Sequence, residues 1–140
     1  MKSSTRKFLT AGLLALGIAV PVVLALEATH QPACDRACLL QFAGTYVDGM
    51  LAHHTDFPVS ADLQATENGQ PVRLGQGVWK TARSVSARQY FADPSTGESG
   101  VFGVLTAQDG QRSVVALRMK IDRQRIAQLE TVVSPEATTP

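Results

Sequence analysis

Apolar residues recur at helical spacing between residues 35 and 54. At 100° per residue, one wide arc of this segment is apolar. The arc comprises Leu39, Leu40, Ala43, Tyr46, Val47, Met50 and Leu51. His54 falls inside the arc and His53 lies at its edge, while Pro58 follows and breaks the pattern. The spacing therefore predicts one long amphipathic helix that ends with a pair of histidines.

Shorter apolar stretches follow, and their spacing is typical of strands. Residues 63–67 alternate weakly and end at Asn68-Gly69, a strong signal for a two-residue hairpin turn. Residues 71–74 are predicted to form the returning arm. Residues 78–83 are predicted to form one or two helical turns, with Trp79 as the apolar anchor.

The second half of the chain reads as consecutive strands joined by turn-rich segments. Strands are predicted at residues 85–91, 101–106, 112–121 and 126–133. The order is then a long helix, a small hairpin, a short helix and a four-strand meander. Helices gathered at one end of the chain and strands at the other predict an α+β domain.

The first 26 residues have the layout of a secretory signal. Lys2, Arg6 and Lys7 form a basic start, and the stretch from Phe8 to Leu26 carries no charge. This stretch also approaches the roughly 20 residues that span a bilayer, so an uncleaved membrane anchor is the alternative. Either interpretation exports the rest of the chain, to the periplasm or the extracellular space.

The domain organisation follows from these boundaries. Residues 1–26 are the signal peptide or anchor, and residues 27–33 read as a linker. Residues 34–134 are long enough for one compact domain. Residues 135–140 read as a disordered tail.

Cys34 and Cys38 are the only cysteines of the chain. Paired cysteines outside the cytosol are usually oxidised. The C-x3-C spacing is not that of a thioredoxin-like motif, and Asp35 as a helix N-cap would place Cys34 just outside the helix. A Cys34–Cys38 disulfide is therefore predicted; the alternatives are two buried thiols or a metal held with a nearby histidine.

Charge and motifs exclude several classes of function. The formal net charge is +1, and no run of lysine and arginine forms a stripe for nucleic acid. The sequence has no G-x-S-x-G, no H-E-x-x-H and no phosphate-binding glycine loop. We therefore expect no metal, nucleotide or haem cofactor and no nucleic-acid partner, and a membrane contact only through an uncleaved N-terminal segment.

The order of elements resembles that of the SnoaL-like, or nuclear transport factor 2-like, superfamily, which includes the ketosteroid isomerases. The matching stretches are CDRACLLQFAGTYVDGMLAHH, TENGQPVRLGQGVW, YFADPSTGESGVFGV and ALRMKIDRQRIAQLETVV. The chain also looks like an uncharacterised secreted subfamily that opens on a CDRAC-like helix. The resemblance implies a cone, in which a curved antiparallel sheet wraps around the long N-terminal helix. The superfamily holds isomerases, cyclases and dehydratases as well as non-catalytic binding and dimerising modules.

Three residues are candidates for catalysis in such a cone. His54 or Glu67 would act as a general base, and the Tyr46 hydroxyl would donate a hydrogen bond to a ligand carbonyl. Each has a structural alternative: a cation at the helix C-terminus for His54, a solvated turn for Glu67, and the core for Tyr46. The chain departs from the ketosteroid isomerase pattern because no strand aspartate clearly takes the place of its protonated acid.

Four further residues are candidates for ligand binding: Trp79, Tyr90, His53 and Arg118. The structural alternatives are core packing for the two aromatic residues, a helix cap for His53 and a charged outer sheet face for Arg118. The expected ligand is a small, largely apolar organic molecule.

Three functions remain open at this point. The domain would be a cofactor-independent isomerase, cyclase or lyase, a non-catalytic ligand carrier, or a homodimerising interaction module that uses its outer sheet face. What occupies the interior of the cone distinguishes these three functions. A cavity with converging polar groups favours the enzyme, whereas a cone filled by Met50, Trp79, Leu117 and Met119 favours the interaction module.

Overall fold

A computed structural model describes residues 33–136 and confirms an α+β domain. Its elements are α1 (Arg36–Ala52), β1 (Val59–Glu67), β2 (Gln70–Pro71), a short 3-10 helix (Gly77–Lys80), β3 (Ala82–Asp93), β4 (Glu98–Ala107), β5 (Arg112–Asp122) and β6 (Arg125–Pro135). The predicted signal or anchor and nearly all of the predicted linker lie outside the described residues. Within the described range, no helix is long and apolar enough to cross a membrane.

The six strands form one curved, unclosed sheet in the order β2-β1-β6-β5-β4-β3. All neighbours run antiparallel except β1 and β6, which run parallel. The sequence predicts an antiparallel sheet, and for this pair the prediction is wrong. Tight turns force consecutive strands to run antiparallel, whereas β1 and β6 are separated by most of the domain, so no turn fixes their relative direction.

Glycines on β4 allow the sheet to bend. A Cβ atom on Gly100 would lie 2.7 Å from the Leu117 carbonyl oxygen, and one on Gly103 would lie 2.6 Å from Val85 Cγ1. The register between β3 and β4 also shifts between Ser86 and Gln89, around Ala87 with φ of 51°. Close approaches at glycine and a bulge both increase the curvature of a sheet.

Helix α1 begins as the sequence predicts and ends earlier. The Asp35 carboxylate accepts a hydrogen bond from the Cys38 N–H at 2.9 Å, and the predicted Cys34–Cys38 disulfide is confirmed, with the two Cα atoms 5.3 Å apart. The helix stops at Ala52 because His53 adopts the left-handed conformation, with φ of 56°. Its N–H bonds back to the last turn, as in a C-terminal helix cap.

Five of the six strands are longer than predicted, β4 and β5 among them. β1 begins at Val59, since Val59 pairs with Ile126 although residues 60–62 lack an apolar alternation. β3 extends to Ala82 and Asp93. β6 runs to Pro135, within the predicted tail, and the Glu136 N–H bonds to the Arg112 carbonyl. Backbone pairing continues where the side chains give no periodic signal.

The core lies between α1 and the inner face of the sheet. The helix contributes the buried residues Leu39, Ala43, Tyr46, Val47 and Met50. The sheet contributes Ala82, Val85, Val101, Leu105, Val115, Leu117, Met119, Ile121, Ile126 and Leu129, and Trp79 enters from the 3-10 helix. The inward alternation on β4 and β5 places every second residue of these strands in contact with this core.

Candidate functional site

The space between α1 and the sheet is filled by the protein's own side chains. Met50, Trp79, Leu117 and Met119 are all buried. The cavity that remains beside them has a volume of about 20 Å³. Such a space holds about one water molecule, whereas ligand pockets measure roughly 300–1,000 Å³. The described conformation therefore has no room for an organic ligand in this cavity.

Six side chains with polar atoms line that small cavity, two of them, Arg73 and Gln76, from the loop after β2. We call the other four the internal polar cluster: Tyr46, Glu67, Trp79 and Thr131. Tyr46 and Trp79 are buried, and their rings meet edge to face with centroids 5.0 Å apart. Trp79 Nε1 is buried and has no hydrogen-bond partner among the described residues. A buried donor without a partner is uncommon in native proteins. A polar molecule in this cavity could accept the hydrogen bond that Trp79 Nε1 does not make within the described residues.

Glu67 has a structural partner that the sequence does not reveal. Its Oε2 accepts a hydrogen bond from the Val78 N–H at 2.9 Å, at the start of the 3-10 helix. The carboxylate lies directly over Gly77, where a Cβ atom would be 2.2 Å from Oε2. Glu67 is therefore half-buried and tied to the loop, rather than a solvated turn residue.

Burial and the nearby Glu67 carboxylate both raise the pKa of the Tyr46 hydroxyl well above its usual range. Burial is the larger cause, because it disfavours the charged phenolate. Tyr46 consequently stays protonated in the folded protein and is a hydrogen-bond donor at any physiological pH.

The two histidines do not line this cavity, although His53 contacts the backbone of Trp79. His53 Nδ1 lies 2.8 Å from the Trp79 carbonyl oxygen, so Nδ1 carries the proton, and the Gln108 amide lies 3.5 Å from Nε2. His54 is exposed and stacks on Phe57, with ring centroids 5.5 Å apart. His54 does not join Tyr46 and Glu67 because α1 ends before it, so the helical arc does not extend to its position.

Tyr90 and Arg118 lie on opposite faces of the sheet. Tyr90 is half-buried and packs against the core. Arg118 points to the outer face, away from α1, where its guanidinium pairs with Glu98 and lies 3.9 Å from Glu130. The fold therefore keeps Tyr90 and Arg118 apart.

The outer face carries an apolar patch that our candidates from the sequence did not include. We define the outer patch as Phe91, Phe102, Val114 and Val132, whose exposed fractions are 49, 51, 48 and 48%. Phe91 and Phe102 meet edge to face at 5.6 Å, and Phe102, Ala116 and Val132 pair across β4, β5 and β6. The available signal was the unbroken apolar run at residues 114–117, which indicates a strand with two apolar faces.

A shallow depression of about 550 Å³ crosses the outer patch. Phe91, Phe102 and Val132 form its apolar walls, and Gly100 leaves a gap between them. Charged residues of both signs stand around it: Arg36, Asp93, Glu98, Arg118 and Glu130.

Comparisons with known proteins do not assign this chain to a family. No protein-family model matches the chain. The curated proteins contain no match to it. Among solved structures, the chain is similar to a de novo designed protein with a curved β-sheet, at 15% identity and a TM-score of 0.49, covering 66% of this chain and 85% of the designed one.

Proposed function

We propose that this domain is an exported, non-catalytic interaction module that forms a homodimer through its outer sheet face. One observation carries the proposal. Four large apolar side chains are about half exposed on one face of β3–β6, while the interior is filled. Contiguous apolar patches on soluble proteins often mark interaction sites, whereas apolar residues exposed singly are ordinary.

The size of the face suits a second copy of the chain. Four strands about 4.8 Å apart make a face about 19 Å wide, and ten residues at about 3.3 Å make it about 33 Å long. The flat area is roughly 600 Å², which approaches the ~800 Å² that each partner contributes to a standard interface. The surface of the side chains adds to this area.

The charges around the outer patch suit the same partner. A two-fold interface brings one surface against itself, so it must be self-complementary. Arg118 stands between Glu98 and Glu130, so a copy turned by 180° can set an arginine against an acidic residue. A depression with one sign of charge would instead repel its own copy.

The disulfide supports the exported location, because a cysteine pair of this kind persists in oxidising compartments. The SnoaL-like cone remains our proposal for the architecture. It is supported by a curved sheet with α1 packed on its inner side. The small-molecule alternatives lose their main support, since the interior leaves about 20 Å³.

Sedimentation equilibrium of the exported protein with a pair of variants at Val132 tests the proposal. Val132→Arg places a charge in the apolar row, whereas Val132→Thr keeps the branched shape and the strand preference. We expect the wild type and Val132→Thr to be dimers at micromolar concentration, and Val132→Arg to dissociate at least about tenfold more readily. A wild type that stays monomeric to about 100 µM, or a Val132→Arg variant that stays as dimeric as the wild type, would overturn the proposal; the concentration is chosen to cover weak dimers.

A further inference from the structure

The outer face of β4 and β5 sets unlike side chains beside each other. Side chains on these strands alternate between the core and the outer face. Five cross-strand pairs follow one another on the outer face: Glu98 with Lys120, Gly100 with Arg118, Phe102 with Ala116, Val104 with Val114, and Thr106 with Arg112. Opposite charges meet in the first pair, and a small residue lies beside a large one in the next two. A surface of this kind complements a copy of itself only in certain orientations.

Two directions of the two-fold axis are compatible with two sheets packed face to face. Aligned sheets keep their strands within about 30° of each other, so the axis runs either along the strands or across them. An axis along the strands, midway between β4 and β5, sets β5 of the partner over β4 at the same level. Every outer residue of β4 then faces the partner's copy of its own cross-strand neighbour. An axis across the strands, at the level of Phe102 and Ala116, sets each strand over its own copy in the reverse direction.

Charge and size favour the axis along the strands. With that axis, Phe102 faces the partner's Ala116, so a large side chain meets a small one. Glu98 faces the partner's Lys120, and the symmetry of the dimer makes this contact twice. With the axis across the strands, Phe102 faces its own copy and Lys120 faces the partner's Arg112, so two rings and two cations meet. Like charges set against each other weaken an interface.

The shallow depression of the outer patch suits the same axis. Its gap lies over Gly100, which faces the partner's Arg118, and the aliphatic stem of an arginine packs well on apolar surface. Glu98 is two residues further along β4, about 7 Å away, within reach of that guanidinium. The Lys120 ammonium donates a hydrogen bond to the Thr96 carbonyl of its own chain. An ammonium has three donors, so Lys120 can bind the partner's Glu98 as well.

We propose that the two-fold axis runs along the strands between β4 and β5 and that Glu98 and Lys120 recognise each other across it, which rests on the homodimer proposed above. On the flanks of the face, Phe91 meets the partner's Glu130, so recognition depends on the two central strands. Each copy offers both an acidic and a basic residue. The contact therefore favours a second copy of this chain over a surface that carries one sign of charge.

Charge reversals at these two positions test the axis. Glu98→Lys alone and Lys120→Glu alone each set like charges against each other twice in their own homodimer. An equimolar mixture of the two variants forms a heterodimer in which both contacts join opposite charges. Each chain keeps the same neighbours within itself in either dimer, so effects on the monomer cancel in the comparison. Sedimentation equilibrium at low ionic strength measures the dissociation, because salt screens exposed charges.

We expect the mixture to dissociate at least about tenfold less readily than either variant alone, and the double variant Glu98→Lys/Lys120→Glu to dimerise about as readily as the wild type. The matched control mixes Asp56→Lys with Lys120→Glu. Its two chains carry the same net charges as the test pair, but Asp56 is exposed on the loop that follows α1. The control mixture should dissociate to an extent between those of its two components.

Two results would overturn the proposed axis. One is a test mixture that dimerises no more tightly than its components. The other is a Lys120→Glu variant that by itself dimerises more tightly than the wild type, because only an axis across the strands sets Lys120 against the partner's Arg112.

The distance between two spin labels at residue 122 tests the axis without altering those charges. Asp122→Cys gives one labelling site, since Cys34 and Cys38 are joined in a disulfide. Residue 122 is six residues from Ala116 on β5, about 20 Å along the strand. The two labels should lie within about 20 Å of each other if the axis runs along the strands, and about 40 Å apart if it runs across them. A wild type that stays monomeric would overturn the homodimer itself, whereas a dimer with labels about 40 Å apart would overturn only the axis.

Discussion

Single polar side chains tie distant parts of this domain together. The Asn68 side chain accepts a hydrogen bond from the Val133 N–H at 2.8 Å and donates one to the Val133 carbonyl at 3.1 Å, so it continues the pairing of β6 beyond the end of β1. The sequence identifies Asn68-Gly69 as a turn, and φ of 48° at Asn68 agrees with that interpretation. The second role depends on a partner 65 residues away, which local patterns do not show.

Asn68→Asp is expected to destabilise the domain by about 1 kcal/mol. The substitution keeps the acceptor for the Val133 N–H, but it replaces the amide donor with an oxygen that faces the Val133 carbonyl. Urea unfolding of the wild type and the variant at pH 7 measures the difference. Gln70→Glu, which adds the same charge at an exposed position of the same hairpin, is the control and should be nearly neutral. Equal effects of the two changes would show that the charge, and not the lost donor, is responsible.

Tyr46 makes the free energy of unfolding depend on pH in the alkaline range. Its pKa is raised in the folded protein by burial and by the Glu67 charge, so the unfolded chain loses this proton first, near pH 10. Because the unfolded state then binds fewer protons than the native state, the free energy of unfolding must fall as the pH rises above about 10, by up to ~1.4 kcal/mol per pH unit.

Tyr46→Phe should remove this part of the pH dependence. Denaturant unfolding of both proteins between pH 8 and pH 11 tests it, a range chosen to bracket the unfolded pKa of about 10. The curves should differ in slope only above about pH 10. Parallel curves over the whole range would mean that Tyr46 ionises as easily in the folded protein as in the unfolded chain.

Elements were predicted from the sequence more reliably than their pairing. The helical arc, the Asn-Gly turn and four strand segments correspond to α1, the β1–β2 hairpin and β3–β6. The early end of α1 was missed because it depends on the left-handed conformation of His53, whose cap bonds are made by the backbone. The parallel pairing of β1 and β6 and the full length of β1 were missed because main-chain bonds between distant segments leave no periodic trace.

The bend of β4 depends on a glycine, Gly100, that lies close to the neighbouring strand. Gly100→Ala should destabilise the domain by about 1–3 kcal/mol, because the added Cβ atom would lie 2.7 Å from the Leu117 carbonyl and force the two strands apart. Gly44→Ala is the matched control, since its Cβ atom meets nothing within 4 Å in the middle of α1. It should stabilise the domain by about 0.5–1 kcal/mol. Thermal unfolding compares the two, and a Gly100→Ala variant as stable as the wild type would show that the bend does not need glycine.

Across the whole molecule, the two faces of one sheet have different roles in our proposal. The inner face packs on α1, chiefly through β3 and β4, and closes the interior, whereas the outer face presents Phe102, Val114 and Val132 to solvent. Three of the seven candidate site residues, Tyr46, Glu67 and Trp79, do line one cavity, and His54 does not. The small volume of that cavity could not be predicted from the sequence, because it depends on how closely the curved sheet approaches the helix.

The most direct test of the homodimer is a dilution series followed by methyl NMR. Val114 and Val115 are neighbours on β5 but point to opposite faces, one half exposed and the other buried in the core. We predict that the methyl signals of Val114 and Val132 shift as the protein is diluted through the dissociation constant, while those of Val115 and Leu117 stay in place. Signals of Val114 and Val132 that do not change with concentration, or changes confined to another surface, would contradict a dimer formed through the outer patch.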